Sequence, residues 1–578
     1  MIDNMKSQNK KDIIFRCLVA VLFLLFFAHA IGLDKDLPNF GLGLYMSRDE
    51  GQYSQMAIKL YNNGSLYEAN GIPVTTSPTF RSNILGNALQ YLSLLVLGDN
   101  YYGFRLPYFL FSFLIMFFTY KTILVWSEQN DYPVQYTRGF IIAMLIYFNI
   151  SFPFLLMSRV VENSSLRALV YIVFLYLWLK LKNRNKLKYF VLGLFSIISI
   201  LFVYFSNITL LVTLGLFTIY KVVYSIRKKK PVFDFIFYTF LGILTGNIIC
   251  EAYYLLIWKS EAWTNFFESI FSYSKRIVVG TDASDSTSIL INLKNILKAI
   301  MTFFASNIFF FSISLCILFL VALAINVLSL KEYNETLFII TVMQIMFGLQ
   351  CAATNDYTVR KTITILPIII LNIYIMLKKV YCNEMTKISR IVALCLFYFM
   401  TPSCIVAMIW QKNSSDYYKD FKWFDLKLWF VLIILESVMI FLIPLFMKYN
   451  KQMLLLIGML FLICNLYYDI KYVYAYDSYT EKDAMIGMGK IVNDELVAGS
   501  YANGYTLYND IHPVMNWDTL YTEEIADGTI KYFCDYATGP TWVKGMTADD
   551  FVVVQSFDRA LLSWGKELKI VIFEKKCE

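Results

Sequence analysis

Long apolar runs, each about the 20 residues that cross a bilayer as a helix, alternate with short polar stretches along most of this chain. About thirteen runs reach that length. They lie near 13–33, 104–125, 138–157, 164–182, 189–205, 207–224, 233–257, 299–328, 335–353, 361–378, 389–410, 426–447 and 453–470. The first opens with Lys10, Lys11 and Arg16, and no small-residue cleavage site follows it. It reads as a signal anchor. With the N-terminus in the cytoplasm, the basic clusters fall on the inner side, as the positive-inside rule requires. These are Lys180 to Lys188, Arg227 to Lys230, Lys378 and Lys379 with Lys387 and Arg390, and Lys448 with Lys451. Three long segments then lie outside: 34–103, 258–298 and 471–578.

The tail reads differently. It has polar stretches, turn signals such as Asn503-Gly504, and two short β-branched runs, Phe551 to Val554 and Ile570 to Phe573, that read as strands. The predicted fold is therefore mostly α: a polytopic helical bundle over 1–470, followed by a small extracytoplasmic α/β domain over 471–578.

Composition supports this. The 578 residues are 58% hydrophobic and only 16% charged, against about 25% charged in an ordinary soluble domain. The net charge of +8 sits in the short clusters between apolar runs, which argues against nucleic acid as a partner. The ten cysteines form no CxxC pair, and the two histidines, His29 and His512, are too few for a histidine metal site or a Ser-His-Asp triad. Only Cys534 and Cys577 fall in the tail, where a disulfide between them is one option.

The most informative polar stretch lies in the first outer segment: Ser47-Arg48-Asp49-Glu50-Gly51-Gln52-Tyr53. Ser47 and Glu50 have capping-box spacing. Tyr53, Met56, Ala57, Leu60 and Tyr61 recur at helical spacing until Asn63-Gly64, which predicts one amphipathic helix lying on the membrane surface. Acids in its first turn stabilise the helix dipole without further function; they also place carboxylates near lipid headgroups. The run from Asn83 to Gly98 predicts a second surface helix or a re-entrant piece. Charged residues near hydrocarbon are costly and have partners. Arg159 and Glu162 in Ser158-Arg159-Val-Val-Glu162-Asn163, Asp356 with Arg360, and Glu251 all sit at the outer ends of spans.

Asp49-Glu50-x-x-Tyr53 in a long first outer loop, then a short helix, then Gly103-Phe-Arg105-Leu-Pro107 entering the next span, resembles the GT-C superfamily of membrane glycosyltransferases. The branch it is most similar to contains the protein O-mannosyltransferases and lipid A aminoarabinose transferases. The motifs cover about the first 220 residues, and the layout continues to the end. The resemblance implies an inverting transfer of a sugar from a polyprenyl-phosphate donor. It places Asp49 at the catalytic acidic position, beside Glu50, and Glu162 near a second acid. It places Arg360, ahead of Pro367, near the donor phosphate, with Arg159 and Arg81 as further candidates. Relatives carry a Lys-Pro-Pro stretch in the first loop where this chain has Ser77-Pro78-Thr79; Arg81 stands closest to replacing that charge. Some GT-C enzymes use a divalent cation; none is predicted here, and no other cofactor is assigned. The sugar and the acceptor, whether glycan, lipid or protein, stay open. The alternative of a transporter or flippase for a lipid-linked sugar predicts midplane charges and inverted repeats. The acids instead cluster at one face, and no repeat is visible.

Overall fold

The computed structural model describes residues 2–36, 46–73, 81, 83–229, 231, 233–269, 313–330, 333–353, 359–382, 384–396, 398, 434, 438, 466, 470, 480–499, 502–514, 522–536, 547–563 and 566–576. The expected runs at 426–447 and 453–470 fall almost wholly outside them, as do 299–312 of the run at 299–328 and most of the run at 389–410 beyond residue 396.

The described apolar runs are helices: α1 Ile2–Ala28, α5 Tyr101–Gln129, α6 Val134–Ile150, α8 Asn163–Lys180, α9 Asn185–Phe202, α10 Ile208–Arg227, α11 Phe233–Trp258, α12 Ile313–Ser329, α13 Glu335–Ala353 and α14 Val359–Tyr381. Five described helices are long and apolar enough to cross a membrane. The run expected as one span at 138–157 is instead bent by 62° at Ser151, where α6 gives way to the short α7, Phe152–Ser158. Pro153 directly after the break explains it, because proline is tolerated only in a helix's first turn. The chain is an integral membrane protein.

Helix α8 is the axis of the bundle. Its side chains are buried along nearly its whole length, with α5 and α14 packed against it. Its start is fixed by Glu162, whose Oε2 accepts a hydrogen bond from the Ser164 N–H at 2.5 Å. Helices α9 and α11 cross so closely that a Cβ on Gly242 would strike the Phe190 carbonyl and one on Gly193 the Thr239 carbonyl. Small residues permit this approach where apolar burial offers no gain over lipid.

Between α1 and α5 lie α2 (Met46–Tyr53), α3 (Gln55–Asn62), a two-stranded ribbon of β1 (Glu68–Ala69) and β2 (Ile72–Pro73), and α4 (Ile84–Leu97). The tail holds α15 (Thr480–Val492), β3 (Leu496–Ala498), β4 (His512–Pro513), α16 (Thr522–Ala526), β5 (Tyr532–Tyr536), β6 (Phe551–Ser563) and β7 (Lys566–Lys575). The strands form one mixed sheet in the order β4-β3-β5-β7-β6, parallel from β4 through β3 to β5 and antiparallel on β7. The two β-branched runs expected as strands lie in β6 and β7. Cys534 is buried in β5, and Cys577 is outside the described residues.

The first loop and the tail meet at one end of the bundle. Asn62 Nδ2 donates to the Thr506 and Ile511 carbonyls at 3.3 and 3.1 Å. The Tyr508 hydroxyl accepts from Tyr101 N at 3.0 Å, and Asp36 Oδ2 accepts from Glu481 N at 3.0 Å. Asp99 Oδ2 accepts from Asn509 N at 3.2 Å. Burial at this seam, reinforced by the nearby Asp510, pushes the Asp99 carboxyl up to about 7. The raised value means the folded protein holds the proton more tightly than the unfolded chain. This contribution is full below about pH 4 and is lost as pH rises through about 7. The thermal midpoint in detergent is expected to fall between about pH 4 and 7, and Asp99→Asn is expected to flatten that dependence; an unchanged slope in the variant would remove Asp99 as its source.

Candidate active site

The expected single surface helix is two helices, broken at Ser54. In a continuous helix the Tyr53 carbonyl would accept from the Ala57 N–H. Asn87, from α4, inserts between them. Its Oδ1 accepts from Ala57 N at 3.0 Å and its Nδ2 donates to Tyr53 O at 2.9 Å. Asn83 Nδ2 adds a second bond to Tyr53 O at 2.8 Å and reaches the Tyr108 hydroxyl at 3.1 Å. A side chain inserted into the ladder is a recognised cause of a helix kink. Nor does the pair lie on an open surface: Glu50 through Lys59 are buried. A Cβ on Gly51 would collide with the backbone of Asn503 and Gly504, so only glycine lets α2 press against that turn of the tail.

Glu50 does not close a capping box. Its side chain is 2% exposed and forms a two-pronged ion pair with Arg105 of α5. Arg105 Nε donates to Oε1 at 3.1 Å and Nη2 to Oε2 at 2.9 Å. Glu50 Oε1 also accepts from Val161 N at 2.9 Å. Arg105 Nη1 donates to the Leu33 and Lys35 carbonyls at 3.0 and 2.7 Å, and its guanidinium lies 3.8 Å from the centre of the Tyr101 ring. One buried pair thus joins the acidic motif, the entry to α5, the end of α1 and the turn before α8.

That turn carries Arg159 and Glu162, both buried. Arg159 donates to the carbonyls of His29 and Ile31. Glu162 caps α8, with the Tyr108 hydroxyl close enough to feel its charge. Arg81 stands apart from this group. Its Nη1 donates to Asn265 Oδ1 at 2.6 Å and its guanidinium lies 5.4 Å from the Trp258 ring centre. Its charge, after burial itself, lowers the Lys59 ammonium to about 7. Glu251 caps the helix at 262–269 through Ala262 N, at 2.8 Å. Arg360 stands in the first turn of α14 and Asp49 in α2; the side chains of both, and all of Asp356, lie outside the described residues. Among the described residues no three His, Cys, Asp or Glu side chains gather as a metal site.

Sequence reasoning missed Arg167, one turn into α8. It is 2% exposed and no carboxylate pairs with it among the described residues. Its Nε donates to Asn207 Oδ1 at 3.3 Å, while its Nη2 is buried without a partner. The Tyr204 ring lies 5.6 Å from its guanidinium and 6.4 Å from the Tyr53 ring at the helix break. Among the described residues, other buried polar atoms without a protein partner include Asn163 Oδ1 and Nδ2, Ser164 Oγ and Ser206 Oγ on the α8 and α10 side, and Ser54 Oγ and both Gln55 amide atoms at the break. Native proteins leave few such atoms. Such atoms, near a buried guanidinium that no described carboxylate pairs with, suit a polar, anionic ligand. The signal was an arginine four residues inside an apolar run.

No family model and no curated protein sequence matches the chain. Eleven chains of solved structures are similar in shape, among them three that span most of this chain. Two are crystal structures of ArnT from Cupriavidus metallidurans. The apo state has a TM-score of 0.51 at 12% identity, over 98% of this chain and 98% of that one. The state bound to undecaprenyl phosphate has a TM-score of 0.49 at 12% identity, over 96% and 97%. The third, the archaeal oligosaccharyltransferase AglB from Archaeoglobus fulgidus with an inhibitory peptide and a dolichol-phosphate, has 0.42 at 9% identity, over 91% of this chain and 70% of that one. The likeness over 98% of both chains gives this chain the fold of ArnT.

Proposed function

We propose that this protein is a membrane glycosyltransferase that takes a sugar from a polyprenyl-phosphate donor and transfers it, with inversion, to an acceptor at the membrane face carrying the first loop and the tail. The N-terminus is then cytoplasmic and the tail extracytoplasmic. The observation that carries the reading is the convergence of the acidic motif, Arg105 and the Arg159–Glu162 turn beside unpartnered buried polar atoms, Arg167 among them, in a GT-C fold.

In this reading Asp49 accepts the proton of the acceptor hydroxyl. The hydroxyl oxygen attacks the anomeric carbon, and the bond from that carbon to the phosphate oxygen breaks, leaving its electron pair on the phosphate. Glu50 is not the base, since both its oxygens are already engaged by Arg105 and Val161 N–H; it holds α2 in register. Glu162 serves as the second acid. The leaving phosphate needs cations, and arginine forks suit it. Arg167 and Arg360 supply them, Arg81 with Lys59 from the ribbon side. Arg159, engaged with two carbonyls, contributes charge to the same face.

The test compares surface glycans and lipid-linked sugars by mass spectrometry in a deletion strain and in the deletion restored with the wild-type chain. A glycan lacking one sugar, with its lipid-linked donor accumulating, is expected, and wild type restores both. Intact glycans in the deletion would end the reading; donor trapped on the cytoplasmic face would favour a flippase.

Arg167→Met is expected to separate stability from activity. Removing a buried cation without a carboxylate partner relieves a desolvation cost, so the thermal midpoint is expected to hold or rise. Transfer is expected to fall about tenfold or more, the loss of one charge-assisted contact of roughly 1.5–3 kcal/mol. A variant equally active and equally stable would detach Arg167 from the donor.

A further inference from the structure

At the opposite end of α8 the helices line a half-open cavity of about 230 Å³, with charged side chains on its wall, which the proposed chemistry does not use. It is lined by α5, α8, α9 and α13, with Trp126, Gln129, Trp178, Lys182, Lys188 and Glu335 on its wall. Sixteen residues of helix separate Glu162 from Trp178, about 24 Å at 1.5 Å per residue, so this cavity and the acidic loop open on different faces of the membrane.

Its charges do not balance. Lys221 donates to Glu335 Oε1 at 2.9 Å, and the Tyr333 hydroxyl donates to the same oxygen at 2.7 Å. Lys221 also donates to the Tyr189 hydroxyl. The second ammonium, on Lys188, is 3% exposed and comes no nearer than 3.9 Å to Glu335 Oε2. It makes no hydrogen bond among the described residues and rests 3.5 Å from the centre of the Trp178 ring. Two lysines thus share one carboxylate, and the exposed Lys182 stands on the cavity wall beside them. An ammonium facing the cavity, 3.9 Å from a carboxylate it shares with Lys221 and without a hydrogen-bond acceptor among the described residues, calls for an anion. The volume is below the roughly 300 Å³ at which pockets for drug-sized ligands begin. It suits a headgroup-sized group.

We infer that this cavity binds a phosphate group, on Lys188 and Lys182, at the membrane face opposite the acidic loop. The phosphate comes from an anionic phospholipid of that leaflet or from a free phosphate ester; the chemistry is the same. The inference stands apart from the glycosyltransferase reading, and its readout is binding, not transfer.

The full-length protein is placed in nanodiscs of phosphatidylcholine alone, or of phosphatidylcholine with phosphatidylglycerol, and its thermal midpoint is followed by tryptophan fluorescence. Inorganic phosphate is titrated into the phosphatidylcholine nanodiscs. A midpoint raised by phosphatidylglycerol assigns a lipid headgroup; one raised by phosphate up to millimolar concentration assigns a soluble source. Either rise is expected to vanish in Lys188→Gln and to shrink in Lys182→Gln, whose exposed side chain leaves folding untouched should Lys188→Gln misfold. No rise in wild type, or a rise undiminished in both variants, overturns the inference.

Discussion

Arg105→Met is expected to destabilise the protein by about 3–5 kcal/mol, because it leaves the buried Glu50 carboxylate without its partner. The charge cannot turn to water, since Glu50 is 2% exposed. Among the described residues, only the Val161 N–H would still bind it. The Leu33 and Lys35 carbonyls would lose their donor at the same time, so the end of α1, the start of α5 and the turn before α8 should loosen together. Glu50→Gln is the milder change: the amide keeps one acceptor, and Arg105 keeps both carbonyls. The informative variant is the pair Glu50→Met with Arg105→Met. Breaking a buried ion pair costs far more than replacing it with apolar residues of similar volume, so the double variant is expected to recover most of the stability lost in Arg105→Met. Thermal unfolding in detergent, with limited proteolysis across 33–36, reads this. A wild-type midpoint in Arg105→Met would show that the pair holds nothing.

These partners explain where sequence reading succeeded and stopped. The apolar helices among the described residues were legible because a lipid-facing helix must be apolar for its full length, whatever it touches. Strands β6 and β7 were legible from their β-branched runs. The break at Ser54 was not, because nothing in Gln52 to Met56 disfavours a helix; Asn87, thirty residues on, splits the Tyr53–Ala57 bond. The periodicity at Tyr53, Met56 and Ala57 was real, yet the helix pair lies under the tail, because Gly51 admits the backbone at 503–504. Glu50 fitted a local cap from its spacing to Ser47, but its partner lies 55 residues away. Long-range partners leave no local trace. Arg167 did leave one: a charge inside an apolar run has a reason to be there.

Asp49→Asn is expected to reduce transfer by about 10²–10⁴-fold, the usual contribution of a positioned general base, while the thermal midpoint stays at the wild-type value. The amide matches the carboxylate in shape and cannot accept the acceptor's proton at neutral pH. Folding should survive because α2 is held by other contacts: Glu50 to Arg105 and Val161, Gly51 against the tail, and the Asn83 and Asn87 bonds at its end. The donor KM should change little if, as proposed, the base acts on the acceptor and arginines hold the phosphate. Asp49→Glu keeps the carboxylate but displaces it by one methylene, and small misplacements of reacting groups are costly; partial activity, between wild type and Asp49→Asn, is expected. Initial rates with purified protein and a polyprenyl-phosphate sugar, beside thermal midpoints, decide the matter. If Asp49→Asn transfers within a few-fold of wild type, the base is elsewhere, and Glu162, buried at the start of α8 beside Tyr108, becomes the acid to replace next.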